Sequence, residues 1–118
     1  TRDAFMTHIE PKQLLDWLAQ LPPDSKPVVL DVREPHEFAL ASPSVDAPFE
    51  LIQMPMRTVP QLVDSLDKER PIACLCHHGS RSMQVATFLA NMGHDNVVNI
   101  SGGMDAWAVQ LDPSLARY

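Results

Sequence analysis

Glycine and cysteine are scarce in this chain of 118 residues, with four of the first and two of the second. Clustered positive charge is missing, and so is any apolar run near the ~20 residues that cross a bilayer. Each shortage excludes something. Cys74 and Cys76 are separated by a single residue, so a bond between them would close almost no loop and gain little. This is not a disulfide scaffold, and a reducing, cytoplasmic setting is expected. Nine Lys and Arg stand against fifteen Asp and Glu, a net charge of −6. The cations are spread singly from Arg2 to Arg117, the wrong pattern for a nucleic-acid face or for an anionic membrane. No secretory apolar region lies near Thr1, and a chain that opens on Thr is expected to be trimmed or excerpted.

What is present is ordinary for a globular domain: 45% hydrophobic and 20% charged residues. The length suits one domain spanning 1–118. The glycines (79, 93, 102, 103) all fall in the last third, and of eleven prolines only Pro113 follows Pro71. Apolar periodicity predicts helices over 11–20, 34–40, 59–66, 81–92 and 103–110. Gly93 sits where the residue after a helix takes positive φ. Apolar, β-branched runs predict buried strands at 28–32, 71–75 and 97–100, with a short one at 51–54 inside a proline-rich loop over 41–60. Strands without polar alternation imply a sheet covered on both faces. The fold class is therefore α/β, with a mostly parallel central sheet and helices on both faces. Ligands bind such sheets beyond the carboxyl ends of the strands, here around 31–33, 76–80 and 101–103.

The stretch Ile72-Ala73-Cys74-Leu75-Cys76-His77-His78-Gly79-Ser80-Arg81-Ser82 carries the chemistry. A buried strand delivers Cys76 to a tight turn that opens a helix. The first turn of a helix has unpaired N–H groups and partial positive charge. A thiol beside them has its ionised form stabilised. Gly79 permits backbone conformations closed to other residues, and Arg81 adds a permanent cation able to brace the loop or a bound anion. The plainer reading of a Cys at a strand end is a small apolar filler. That reading suits Cys74, between Ala73 and Leu75, better than Cys76.

The segment Cys76-His77-His78-Gly79-Ser80-Arg81-Ser82 resembles the active-site loop of rhodanese-like sulfurtransferases. Three further segments are similar to that family in order and position: Asp31-Val32-Arg33 with Glu37-Phe38, Gly93-His94-Asp95-Asn96-Val97, and Gly102-Gly103 with Trp107. The likeness covers about 9–109. One stretch departs: the family's Gly-His-Ile-Pro-Gly-Ala type segment reads Ala41-Ser42-Pro43-Ser44-Val45-Asp46-Ala47-Pro48-Phe49-Glu50-Leu51-Ile52-Gln53-Met54-Pro55 here, with Ile52-Gln53-Met54-Pro55 resembling its end but its His and glycines absent, which puts the shape of one pocket wall in question.

The resemblance implies that Cys76 is the catalytic nucleophile and carries a persulfide in two-step covalent catalysis. His77, His78, Gly79, Ser80, Arg81 and Ser82 would bind substrate, with Asp31 and Arg33 in support and Glu37 structural. It implies no metal and no organic cofactor. The partners would be a small-molecule or protein sulfur donor and a thiol or cyanide acceptor. Between Cys76 and Arg81 only the two histidines can bring charge, so thiosulfate turnover should be modest and rise toward pH ~6.5. Cys74, Cys76, His77 and His78 also offer a metal set, but the loop N–H groups would face away from it. His8, His36 and His94 read as surface residues, Trp17 and Trp107 as core, and Met54 and Met56 as loop packing or an apolar lip over Cys76. Two other readings stay open. A related Cys phosphatase has one residue more between its Cys and Arg. A rhodanese-like binding or regulatory module has usually lost the Cys that is present here.

Overall fold

The computed structural model describes residues 6–43 and 48–118. Among these, five strands form one sheet: β1 (Thr7–Ile9), β2 (Val28–Asp31), β3 (Glu50–Gln53), β4 (Ile72–Leu75) and β5 (Val97–Ile100). Their spatial order is β1-β5-β4-β2-β3 and every pairing is parallel. The helices are α1 (Leu14–Ala19), α2 (Pro35–Leu40), α3 (Val59–Leu62), α4 (Ser80–Asn91) and α5 (Gly103–Gln110). Short 3₁₀ turns at Pro11–Gln13, Met56–Thr58 and Val63–Ser65 extend α1 and α3.

A parallel sheet must be covered on both faces, and β2 and β4 are buried at every position. Their side chains alternate between two cores. Val28, Leu30, Ile72 and Cys74, with Cys76 just beyond β4, pack against Val59, Val63, Val85 and Leu89. Val29, Ala73, Leu75, Val98 and Ile100 pack against Leu14, Leu18, Met104 and Trp107. The two cysteines therefore share the face under α3 and α4.

The expected elements are present with shifted ends. The helix expected over 59–66 is α3 and a 3₁₀ turn. The helix expected to start at 81 starts at Ser80. The edge strand β1 was not expected; it has three residues and buries only Ile9, too short for a periodic signal. Residues 44–47 of the unusual stretch lie outside the described residues.

Helix α4 shows why the chain stops where it does. Its buried positions, Ser82, Val85, Ala86, Leu89 and Ala90, recur at three- and four-residue spacing. Beyond it Gly93 takes φ 101°. The amide of Gly93 donates to the Ala90 carbonyl at 3.2 Å and that of His94 to Leu89 at 3.1 Å, the paired closure of a Schellman motif. That closure turns the next side chain back onto the helix. His94 is accordingly not a surface residue: it is 1% exposed, and neither ring nitrogen has a hydrogen-bond partner among the described residues. Burial pushes its pKa down and the Lys68 charge adds to this, against Asp67 and Asp95.

A histidine held neutral by burial contributes stability that is complete above the unfolded value of ~6.5 and is lost as pH falls below it toward the depressed folded value. The thermal midpoint should therefore drop between pH 7 and 5.5, and His94→Gln should flatten that part of the curve. An unchanged slope in the variant would mean that His94 is not the group responsible.

Candidate functional site

Strand β4 ends at Leu75 and α4 begins at Ser80, so residues 76–79 must make the whole reversal. Gly79 closes it in the left-handed region at φ 107°. The turn is pinned from outside by the start of α5. The amide of Met104 donates to the Cys76 carbonyl at 2.8 Å, and that of Asp105 to the His77 carbonyl at 3.1 Å. Gly103 allows this approach. At φ 56°, a Cβ there would sit 2.5 Å from the His77 oxygen and overlap that of Cys76.

With those carbonyls turned outward, the amides serve the other side. The Gly79 N–H donates to Cys76 Sγ at 3.0 Å. The amides of His77, His78, Ser80, Arg81 and Ser82 meet no acceptor among the described residues. The sulfur thus sits at the N-terminal end of α4, where helix amides point outward and attract negative charge. Cys76 is 1% exposed and forms the floor of the turn.

Ser82 reaches the sulfur from within α4. Its hydroxyl lies 3.3 Å from Cys76 Sγ, 3.2 Å from the Gly79 carbonyl and 2.5 Å from Asn99 Oδ1. Asn99 is buried in β5. Its amide donates to the Gly79 carbonyl at 3.2 Å and meets His8 Nδ1 at 3.1 Å. One side chain thus ties β5 and β1 to the turn and to α4.

Arg81 is paired with α2. Its guanidinium grips the Glu37 carboxylate at 2.6 and 2.9 Å. That pair holds Glu37 down at about 2, mainly through its hydrogen bond to Arg81, and pushes Arg81 up. Glu37 also accepts the Glu34 amide and the Tyr118 hydroxyl, each at 3.1 Å. Behind it lies Arg33, fully buried, with all five N–H groups used. Nε and one Nη2 hydrogen bind Asp31, the other Nη2 hydrogen binds the Ala41 carbonyl, and Nη1 serves the Glu37 carbonyl and the Tyr118 hydroxyl. The Tyr118 ring stacks on His77, with centroids 3.9 Å apart and planes at 10°.

Of the residues the sequence singles out, the structure brings the turn residues 76–79, Ser80 and Ser82 together around one sulfur. The Arg81 side chain is turned to Glu37 instead. Asp31 meets Arg33 and no loop amide. His77 does not supply charge: burial pushes its pKa down, the neighbouring His78 adds to this, and Glu37 and Asp105 oppose it. The expected rise of activity toward pH ~6.5 therefore has no support from His77. Cys74 lies inside β4, where burial holds its thiol up and the Cys76 charge adds to the effect. Trp107 is buried and Trp17 half-buried. Met54 is core beside Cys76, and Met56 packs against that core. Among the described residues, no three His, Cys, Asp or Glu side chains gather as a metal-binding set. No helix among them is long and apolar enough to cross a membrane.

Asn99, His8 and Tyr118 were missed by the sequence. Asn99 left a signal, as the polar residue in Val97-Val98-Asn99-Ile100. Tyr118 left none.

A parallel sheet with this turn at its centre defines a class, and comparison places the chain in it. The profile of the Rhodanese-like domain family matches residues 14–110, so the chain belongs to that family. It is 39% identical over 90 residues to "Rhodanese-like/PpiC domain-containing protein 12, chloroplastic" of Arabidopsis thaliana, covering 76% of this chain and 30% of that protein. The chain thus spans under a third of that relative's length. It is 35% identical over 77 residues to a thiosulfate sulfurtransferase GlpE of Tolumonas auensis, covering 65% of this chain and 68% of that one. Among solved structures, the rhodanese-like domain protein from Staphylococcus aureus superposes with TM-score 0.72 at 27% identity, over 96% of this chain and 99% of that one.

Gly103→Ala should damage the site more than the fold. The added methyl meets two fixed carbonyls in a left-handed backbone, a cost on the order of 1–3 kcal/mol. The melting temperature should fall while the folded fraction at 25 °C stays high, and iodoacetamide labelling of Cys76 should change rate. Unaltered labelling would show that α5 does not set the turn.

Proposed function

We propose that this chain is a rhodanese-type sulfurtransferase acting from Cys76. One observation carries the reading: a cysteine sulfur held by a backbone N–H at 3.0 Å, at the end of a helix whose first amides meet no acceptor among the described residues. Such a site suits a thiolate and, one bond further out, the outer sulfur of a persulfide. The Cys76 thiolate attacks the sulfane sulfur of a donor. A new S–S bond forms to Sγ, the donor's bond to that sulfur breaks, and its electron pair departs with the leaving group. With thiosulfate the leaving group is sulfite; with a persulfide it is a thiolate. A thiol or cyanide acceptor then takes the outer sulfur and returns the thiolate of Cys76. The unpaired amides of His77, His78, Ser80, Arg81 and Ser82 offer hydrogen bonds to the outer sulfur, and Ser82 adds a hydroxyl beside Sγ.

The geometry does not favour phosphate transfer. A phosphatase needs its Arg to clamp the phosphate, and here Arg81 is committed to Glu37. Only six residues run from Cys76 to Arg81, a tighter turn than phosphate needs.

Intact-mass measurement after incubation with thiosulfate or an organic persulfide tests the reading. One sulfur atom should be added, and cyanide or a reducing thiol should remove it. Cys76→Ser should lose the adduct and all turnover. Cys74→Ser should keep both, with a stability loss of about 1–3 kcal/mol from an unpaired hydroxyl in the core. Turnover of an aryl phosphate that disappears in Cys76→Ser would sink the sulfurtransferase reading.

A further inference from the structure

The turn around Cys76 offers hydrogen-bond donors but no unpaired cation. Arg81 is the fixed positive charge of the loop, and Glu37 takes two of its nitrogens. Glu37 is itself fixed by the Glu34 amide and the Tyr118 hydroxyl. That hydroxyl is gripped by Arg33 Nη1 at 2.6 Å. Arg33 is balanced by Asp31, with both side chains fully buried. His77 is sandwiched between Tyr118 and His78, at 3.9 Å from each ring. His78 is exposed, and the Asp105 charge acts on both histidines. Each cation near the sulfur thus has a carboxylate partner or an aromatic clamp. What is left for a ligand is the row of amides, worth about half an elementary charge at a helix N-terminus.

We propose that this lock selects the sulfur donor: the site takes sulfane sulfur from singly charged or neutral donors, alkyl persulfides above all, and discriminates against dianionic thiosulfate, with Glu37 and Tyr118 as the positioning residues that hold Arg81 out of the bowl. The proposal rests on the sulfurtransferase reading above. With a persulfide R–S–SH, the Cys76 thiolate attacks the terminal sulfur. The Sγ–S bond forms, the donor S–S bond breaks, and the electron pair leaves on RS⁻ while the proton stays with the transferred sulfur. One negative charge is present before and after. With thiosulfate the same displacement must admit a dianion beside a thiolate and release sulfite, again a dianion. Stripping water from unpaired charge is costly, and the amides can offset only about half a charge. Tyr118 lies beyond the residues that match the family, 14–110, so part of the lock comes from outside the shared domain.

The test is the rate of sulfur addition to Cys76, followed by rapid quench and intact mass, with thiosulfate and with cysteine persulfide, whose ammonium and carboxylate cancel. The readout is the ratio of the two rates within each variant, which partial loss of fold does not move. Glu37→Gln frees Arg81 and should raise the thiosulfate rate relative to the persulfide rate by about tenfold, the size of one charge-assisted hydrogen bond. Tyr118→Phe keeps the ring on His77, removes the hydroxyl, and should shift the ratio the same way by a smaller factor. Arg81→Gln should leave the ratio within about twofold, because Glu37 already holds the guanidinium. A selective loss of the thiosulfate rate in Arg81→Gln would overturn the proposal, as would an unmoved ratio in both Glu37→Gln and Tyr118→Phe. If thiosulfate loads the wild-type protein faster than the persulfide does, donor selection fails while the sulfurtransferase reading survives. If neither donor adds sulfur, both fall.

Discussion

The carbonyl groups of Cys76 and His77 must face α5, and much of the site follows from that. Once the Met104 and Asp105 amides hold them, the peptide planes of the turn are fixed and their N–H groups are left for the sulfur side. The sequence of the last third answers to this requirement. Gly103 stands where any Cβ would overlap the held carbonyls, and Gly79 where the chain enters α4 with positive φ. The strand order serves it as well. Because β5 lies directly beside β4, the helix that follows β5 begins next to the turn that follows β4.

Behind the turn lies a more expensive arrangement. A buried ion pair is destabilising unless its remaining hydrogen-bonding capacity is met. Arg33 meets that condition with five satisfied N–H groups, two of them on main-chain carbonyls of Glu37 and Ala41. Lysine has three donors and no planar fork, so it could not replace it. The reward is geometric. One guanidinium joins the end of β2 to the last half of α2 and to Tyr118, and the same helix presents Glu37 to Arg81. The position of α4 relative to α2 is therefore written in ion pairs where elsewhere the protein uses apolar contact.

The fold was legible because its signals are local or periodic. The apolar runs of β2, β4 and β5, the spacing of Val85, Ala86 and Leu89, and Gly93 after α4 each report on a few neighbouring residues. Cys76, Gly79 and Ser82 were legible for the same reason, since a strand, a turn and a helix start are contiguous in the chain. What escaped depends on contacts between distant segments. Arg81 reads as a free cation next to Cys76, and nothing in residues 76–82 says that Glu37, 44 positions away, will claim it. Tyr118 meets Arg33 across 85 positions. His94 looks polar and exposed until the closure of α4 folds it inward. Strand β1 escaped because three residues with one buried side chain carry too little pattern.

Charge in this molecule acts on two length scales, and the proposed donor preference draws on both. At long range the net charge of −6 repels a dianion about twice as strongly as a monoanion, over a distance that salt limits to ~8 Å under physiological conditions. At contact range the site supplies backbone dipoles, while the nearby guanidinium groups are neutralised by Glu37 and Asp31. The first effect fades as ionic strength rises. The second fades less, because Cys76 itself is buried. A preference created inside the turn is thus independent of the surface charge around it, and substitutions among the exposed acids could change how quickly anions arrive without changing which anion the sulfur accepts.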